Sequence, residues 1–269
     1  MNLLQSVLYG LISGLTEFMP ASSRAHQRIV REIFGSQVDP VMNLFVHIAV
    51  LVALFFSARN LFDIFMRERR ISGARNRRQT ASRSYIYPFI RTASIALVIV
   101  FICITYIVDQ EFSLLAVALF CFVNSVVLFI PDRLIQSNKT AQHMTTFDSL
   151  LMGMFGALSA FPGISRIGAV NAYAVGRGAD RQHAYNWSLL MSVPAILLLI
   201  LLDLIGIFSG ALPVTFMGVL GYVFAAGFAY LGAYISVSLM KFLAVKVGFV
   251  AFSYYSFGMA IFAFVLYLI

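Results

Sequence analysis

The chain has 269 residues, of which 61% are apolar and 11% charged, with a mean hydropathy of +0.89. Soluble domains carry roughly 45–50% apolar and about a quarter charged residues, so a water-soluble fold of this length is excluded: it has too little interior to hide the apolar surface. The formal charge of +8 is concentrated in one arginine-rich stretch between apolar runs, which reads as a membrane-adjacent loop rather than a nucleic-acid surface.

From the N-terminus, residues 3–19 form a short apolar stretch, bearing Gly10 and Gly14, that runs into Glu17 and Pro20. It lacks the basic start and small-residue end of a cleavable signal peptide. Pro20-Ala21-Ser22-Ser23-Arg24 follows, then a second short helix-like stretch. Broken apolar elements are tolerated in a bilayer only where protein buries them or a wet cavity lies beside them, so a re-entrant hairpin is predicted over about 3–35. Runs of roughly 20 apolar residues then predict spans near 41–66, 86–108 and 113–131; the first is interrupted by Asn43, His47, Arg59 and Asp63. Arg67, Arg69, Arg70, Arg75, Arg77, Arg78 and Arg83, opposed only by Glu68, predict a cytoplasmic loop over 67–83. Cys103 and Cys121 lie inside apolar runs and read as packing residues.

The second half repeats the pattern. Residues 149–161, with Gly153 and Gly156, run into Pro162-Gly163-Ile164-Ser165-Arg166 and predict a second hairpin over about 149–180. Spans are predicted near 188–208, 215–240 and 247–269. Proline, serine and arginine of the two turns match at one offset of 142 positions, as do Gly14 and Gly156. Residues 1–131 and 148–269 therefore read as an internal duplication. With the loop 67–83 in the cytoplasm, three crossings separate the hairpins, so they enter from opposite faces and meet near the midplane. The expected fold class is an all-α polytopic membrane protein with an inverted-topology repeat, six spanning helices and two re-entrant helical hairpins.

Glu17, Ser22, Ser23, Arg24 and His26 gather in the first hairpin; Gly163, Ser165, Arg166 and Asn171 gather in the second. Ionisable groups at membrane depth cost several kcal/mol and mark functional sites. Serines, arginines and backbone N–H groups at a helix start make an anion site, and arginine forks onto phosphate oxygens. Plainer readings stand beside these. Ser22 or Ser23 caps the following helix, Arg24 snorkels to the interface, and a lone His26 is structural. Asn43, His47 and Asp203 are expected to hydrogen-bond between helices.

Gly14-Leu15-Thr16-Glu17-Phe18-Met19-Pro20-Ala21-Ser22-Ser23, with His26 following, resembles the first signature of the undecaprenyl-pyrophosphate phosphatase family. Pro162-Gly163-Ile164-Ser165-Arg166-Ile167-Gly168-Ala169 resembles its second, and His47 to Leu54 its first full span. The order, spacing and number of spans are similar along the whole chain. The resemblance implies a bacterial inner-membrane enzyme, its site opening outward, that hydrolyses a C55 polyprenyl diphosphate to the monophosphate. That reaction recycles the lipid carrier for cell-wall precursors and confers bacitracin resistance.

By motif position the resemblance implies that Glu17 binds a divalent cation (Mg²⁺ or Ca²⁺) or orients water. It implies His26 or Ser23 as nucleophile, His26 alternatively as acid–base, and Arg166 as the diphosphate clamp. Ser22, Arg24, Gly163, Ser165 and Asn171 are the expected diphosphate contacts. The expected partners are the polyprenyl diphosphate, membrane lipid and a second copy in a homodimer, without nucleic acid.

Departures from the family pattern stand at Ser13, where a second glutamate is usual, at Arg24-Ala25 in place of Thr-Gly, and at Ile167 and Val170 in place of hydroxyl residues. A site that exchanges a carboxylate for a cation is predicted to hold phosphate better than Mg²⁺ or Ca²⁺, with Arg24 neutralising diphosphate charge. The competing reading is a family member that binds or translocates a polyprenyl phosphate without hydrolysing it.

Overall fold

In a computed structural model, residues 1–73, 85–107, 112–134, 139–210, 216–246 and 248–269 are described, without the side chains of 131, 132, 134, 216, 217 and 244–246. Arg75, Arg77, Arg78 and Arg83 of the basic stretch lie outside the described residues. Among the described residues there are eleven α-helices and one isolated backbone bridge, between Lys139 and Ala179. The protein is an all-α membrane protein.

Helix α1 (Leu3–Glu17) and α2 (Ser23–Phe34) make the first helical hairpin, followed by α3 (Pro40–Ser57), α4 (Arg59–Gly73), α5 (Ile86–Ile107) and α6 (Leu114–Leu134). Helix α7 (Thr146–Ala157) and α8 (Arg166–Gly176) make the second, followed by α9 (Arg181–Ser209), α10 (Phe216–Lys246) and α11 (Val250–Leu268). Five helices are long and apolar enough to cross a membrane: α3, α5, α9, α10 and α11; the apolar part of α6, Leu114–Ile130, is slightly shorter. Only 22–39% of the most apolar window in each long span is buried within the protein. The remainder, including Ile95, Ile99, Leu201, Ile205 and Phe264, is an exposed apolar surface of the kind that lipid covers.

Two expected boundaries are corrected. The span near 41–66 ends at Ser57, and Ala58 separates it from α4. Eighteen residues rise about 27 Å, nearly the hydrocarbon thickness, so the crossing is complete before Arg59 and Asp63 arrive. The span near 188–208 starts earlier, at Arg181, because Asp180 accepts the backbone N–H groups of Gln182 and His183 and caps the helix. Its first turns are buried through Tyr185, Trp187 and Ser188.

Small residues set the tightest contacts. Helix α1 lies along α10, and a Cβ added at Gly10 or Gly14 would stand 2.1 Å from the carbonyl oxygens of Ala225 and Ala229. Helix α7 lies along α5, where a Cβ at Gly153 would stand 2.2 Å from the Ala93 carbonyl oxygen. Such close backbone approach replaces the hydrophobic drive that lipid does not provide. Helix α3 packs on α9, and α6 on α11.

Candidate active site

Each hairpin turns through a proline-containing segment and restarts on a serine. Ser22 caps α2, its Oγ accepting the Ala25 N–H at 3.3 Å; Ser165 caps α8, its Oγ accepting the Gly168 N–H at 3.1 Å. The capping reading of Ser22 therefore holds. Gly163 has φ +130, a conformation that L side chains rarely adopt, and an added Cβ would stand 2.5 Å from that of Phe120.

The two turns are fastened to one another. The Gly163 N–H donates to Ser22 Oγ at 2.9 Å, and Ser165 Oγ donates to the Met19 carbonyl at 3.0 Å. Asn124 of α6 ties both: its Oδ1 accepts the Ser165 N–H at 2.9 Å, and its Nδ2 donates to the Pro20 carbonyl at 3.2 Å and to Ser256 Oγ at 2.8 Å. Asn124 is fully buried; it was missed in the sequence, where its signal is a carboxamide standing with Ser125 in an otherwise apolar run.

Between the turns lies a small cleft of about 30 Å³ onto which Glu17, Ser22, Ser23, Arg24, Ser165 and Arg166 face. Arg166 Nη2 meets Glu17 Oε1 at 2.7 Å, with side chains only 6% and 9% exposed; Arg166 Nε donates to Ser192 Oγ at 3.2 Å. Arg24 Nη1 donates to the Ala160 carbonyl at 2.9 Å, and its guanidinium lies 5.0 Å from the centre of the Phe101 ring. Ser23 Oγ donates to the Ser13 carbonyl at 3.4 Å. Gln27 Nε2 donates to Ser13 Oγ at 3.1 Å and to Ser23 Oγ at 3.4 Å. A second cavity of about 300 Å³ shares Arg24, Gln27, His47 and Leu199 with the cleft and adds Arg28 and Arg31. Cations outnumber carboxylates along the two: Arg24, Arg28, Arg31 and Arg166 stand against Glu17 and Asp203.

His26 and Asn171 are not brought into this group. His26 Nδ1 lies 2.7 Å from the Ser22 carbonyl and Nε2 2.6 Å from Tyr255 Oη, with the two rings stacked. A carbonyl accepts only, so Nδ1 carries the proton and Nε2 accepts from Tyr255. Asn171 Nδ2 donates to the Ile167 carbonyl at 2.7 Å and to Ser188 Oγ at 3.1 Å, joining α8 to α9. Neither residue faces the cleft or the larger cavity.

The donor set does not fit a divalent cation. Glu17 is the one carboxylate facing the cleft, and its Oε1 is taken by Arg166. Ser13 presents a hydroxyl where a second carboxylate would stand. Among the described residues no three His, Cys, Asp or Glu side chains are placed to hold a metal ion.

A family model described as "Bacitracin resistance protein BacA" matches residues 6–262. The chain is 31% identical over 202 residues to an undecaprenyl-diphosphatase of a Nocardioides species, covering 73% of this chain and 72% of that protein. It is 30% identical over 222 residues to an undecaprenyl-diphosphatase of Prochlorococcus marinus, covering 77% and 78%. It is 28% identical over 265 residues to undecaprenyl-diphosphatase 3 of Bacillus cereus, covering 97% and 96%.

Proposed function

The chain belongs to the bacitracin resistance protein BacA family, and we propose that the cleft between its hairpins is where it cleaves undecaprenyl diphosphate. The protein is an undecaprenyl-diphosphatase, a hydrolase that converts the lipid diphosphate to the monophosphate and orthophosphate. The observation that carries the assignment of the cleft is the buried Glu17–Arg166 pair, which joins the end of α1 to the start of α8. An ion pair held this deep is expensive to desolvate and is accounted for by a substrate whose charge displaces Glu17 from the guanidinium.

Arg166 then forks onto the terminal phosphate and Arg24 onto the bridging side, while the N-termini of α2 and α8 point positive ends at the same place. Ser23 is the nucleophile in this reading: its hydroxyl faces the cleft, whereas His26 is committed to Ser22 and Tyr255. Two arginines on two to three negative charges supply the electrostatic stabilisation that phosphoryl transfer requires. Binding without hydrolysis has no observation in its favour.

The same proposal includes an inverted repeat. Exchanging the halves maps the α1–α10 contact onto α7–α5 and returns the α3–α9 and α6–α11 contacts to themselves, a correspondence that supports it. We place the protein in a bacterial cytoplasmic membrane with α4, carrying Arg67, Arg69 and Arg70, on the cytoplasmic side and the larger cavity open outward.

The test is orthophosphate release from undecaprenyl diphosphate by the purified chain in detergent. Turnover that falls about 100-fold or more in Arg166→Ala is expected; full turnover in that variant sinks the assignment of the cleft.

A further inference from the structure

His47 of α3 is the only histidine that faces the cleft among the described residues, and it faces the larger cavity as well. Its Nδ1 lies 2.6 Å from Asp203 Oδ2 of α9, with side chains 11% and 12% exposed. The expected bond between helices is therefore present, but it uses only one face of the ring. Nε2 has no hydrogen-bond partner in the protein among the described residues. A carboxylate on Nδ1 fixes that nitrogen as the protonated one and leaves Nε2 as a free acceptor.

The reaction needs such an acceptor. Ser23 donates to a carbonyl and accepts from Gln27, neither of which can take its proton. Glu17 is engaged by Arg166, and His26 Nε2 is closed by Tyr255. Four positive side chains, Arg24, Arg28, Arg31 and Arg166, face the two cavities against the carboxylates of Glu17 and Asp203.

We infer that His47 is the proton acceptor of the hydrolysis and that Asp203 is its positioning residue; this rests on the reading of the cleft as the hydrolytic site. As Ser23 Oγ bonds to the terminal phosphorus, the bridging P–O bond breaks and its electron pair stays on the polyprenyl phosphate. The hydroxyl proton passes to His47 Nε2, directly or along one water, and leaves through the larger cavity. In the second half, water attacks the phosphoserine and gives one proton to His47. The Ser23–phosphorus bond breaks with its pair on Oγ, which regains a proton from His47, and orthophosphate departs. Asp203 balances the imidazolium each time, the role a carboxylate plays beside a base histidine in nucleophilic hydrolases.

The experiment measures steady-state hydrolysis of undecaprenyl diphosphate by the detergent-purified full chain and by His47→Gln, His47→Ala, Asp203→Asn and His26→Gln. His47→Gln keeps an N–H for Asp203, so its kcat should fall about 100-fold or more with KM within about threefold. Added imidazole should restore part of the rate of His47→Ala but none of that of Asp203→Asn, whose kcat also falls at unchanged KM. A His47→Gln kcat within about threefold of the parent overturns the inference, as does a loss of kcat confined to His26→Gln. So does a His47→Gln that loses substrate binding and thermal stability together, since that is a structural role. A parent chain that releases no phosphate would remove the hydrolytic reading itself; an active parent with an unaffected His47→Gln removes only the base.

Discussion

The Gly163 N–H donates to Ser22 Oγ at 2.9 Å, across 141 positions of sequence. Ser22 Oγ also accepts the Ala25 N–H that starts its own helix, so one hydroxyl caps α2 and fastens the opposite turn. Ser165 does the converse, capping α8 while its proton goes to the Met19 carbonyl. Both capping hydroxyls are thus spent on structure, and Ser23, with weaker 3.4 Å contacts, is left for chemistry.

Removing one member of the Glu17–Arg166 pair strands a buried charge. Arg166→Ala is expected to lower stability by about 3–5 kcal/mol, as broken buried pairs do, read as a fall in melting temperature in detergent. Glu17→Gln combined with Arg166→Met should recover most of that stability and none of the turnover. Recovery of turnover would show that the pair is scaffolding.

Gly163→Ala combines a left-handed φ with a collision against Phe120. A loss of about 2–4 kcal/mol is expected, together with loss of turnover, because the turn bonded to Ser22 must shift. Gly176, at the end of α8 with nothing within 4 Å of an added Cβ, is the matched control. There alanine should be neutral or add roughly 0.5–1 kcal/mol by restricting the unfolded chain.

Charge neutralisation by arginine rather than a metal ion predicts that EDTA leaves hydrolysis within about twofold of the rate in Mg²⁺ or Ca²⁺. Ser13 lies one helical turn before Glu17, on the same face of α1. Ser13→Glu should therefore create a pair of carboxylates and make turnover rise with added Mg²⁺. A parent enzyme stopped by EDTA and restarted by Mg²⁺ contradicts this account of the donor set.

Asp148, near the start of α7, closes the base of the second hairpin through Arg177 Nε at 2.7 Å and Tyr173 Oη at 3.0 Å. Burial pushes its carboxyl up, but the bonds from Thr145, Arg177 and Tyr173 prevail and hold it down at about 2. A carboxyl lowered on folding contributes stability above its ordinary value near 3.9 and loses it as the pH falls toward about 2. The melting temperature should drop over that window in the parent and change less there in Asp148→Asn. Equal acid sensitivity in both would assign the loss to other groups.

The two turns were legible because proline, glycine and a capping serine are local signals, and the spans because lipid demands long apolar runs. The break at Ala58 was not legible, since Leu61, Phe62 and Phe65 continue the apolar pattern into α4 beside its charges. The histidines were the harder case. His26 stands three residues from Ser23 in sequence, yet Arg24, Gln27, Arg28 and Arg31, spaced i, i+3, i+4 and i+7, form the face of α2 on the cavities. His26 falls on another face, against α11. His47 reaches the cleft only because α3 packs on α9, and nothing local to either helix announces that contact.

The glycine-lined seam between α1 and α10 has a consequence for the order of manufacture. Helix α1 leaves the ribosome about 200 residues before its partner begins at Phe216, an interval of roughly 10–40 s at ordinary elongation rates. During that time Gly10 and Gly14 have no Ala225 or Ala229 to lie against, and until residue 176 has been made the Glu17 carboxylate has no α8. A segment made long before its partner is among the last to be seated, so its carboxylate must wait at the bilayer surface or under the care of the insertion machinery. Chains truncated before residue 216 should accumulate with α1 open to proteases that cannot reach it in the finished protein.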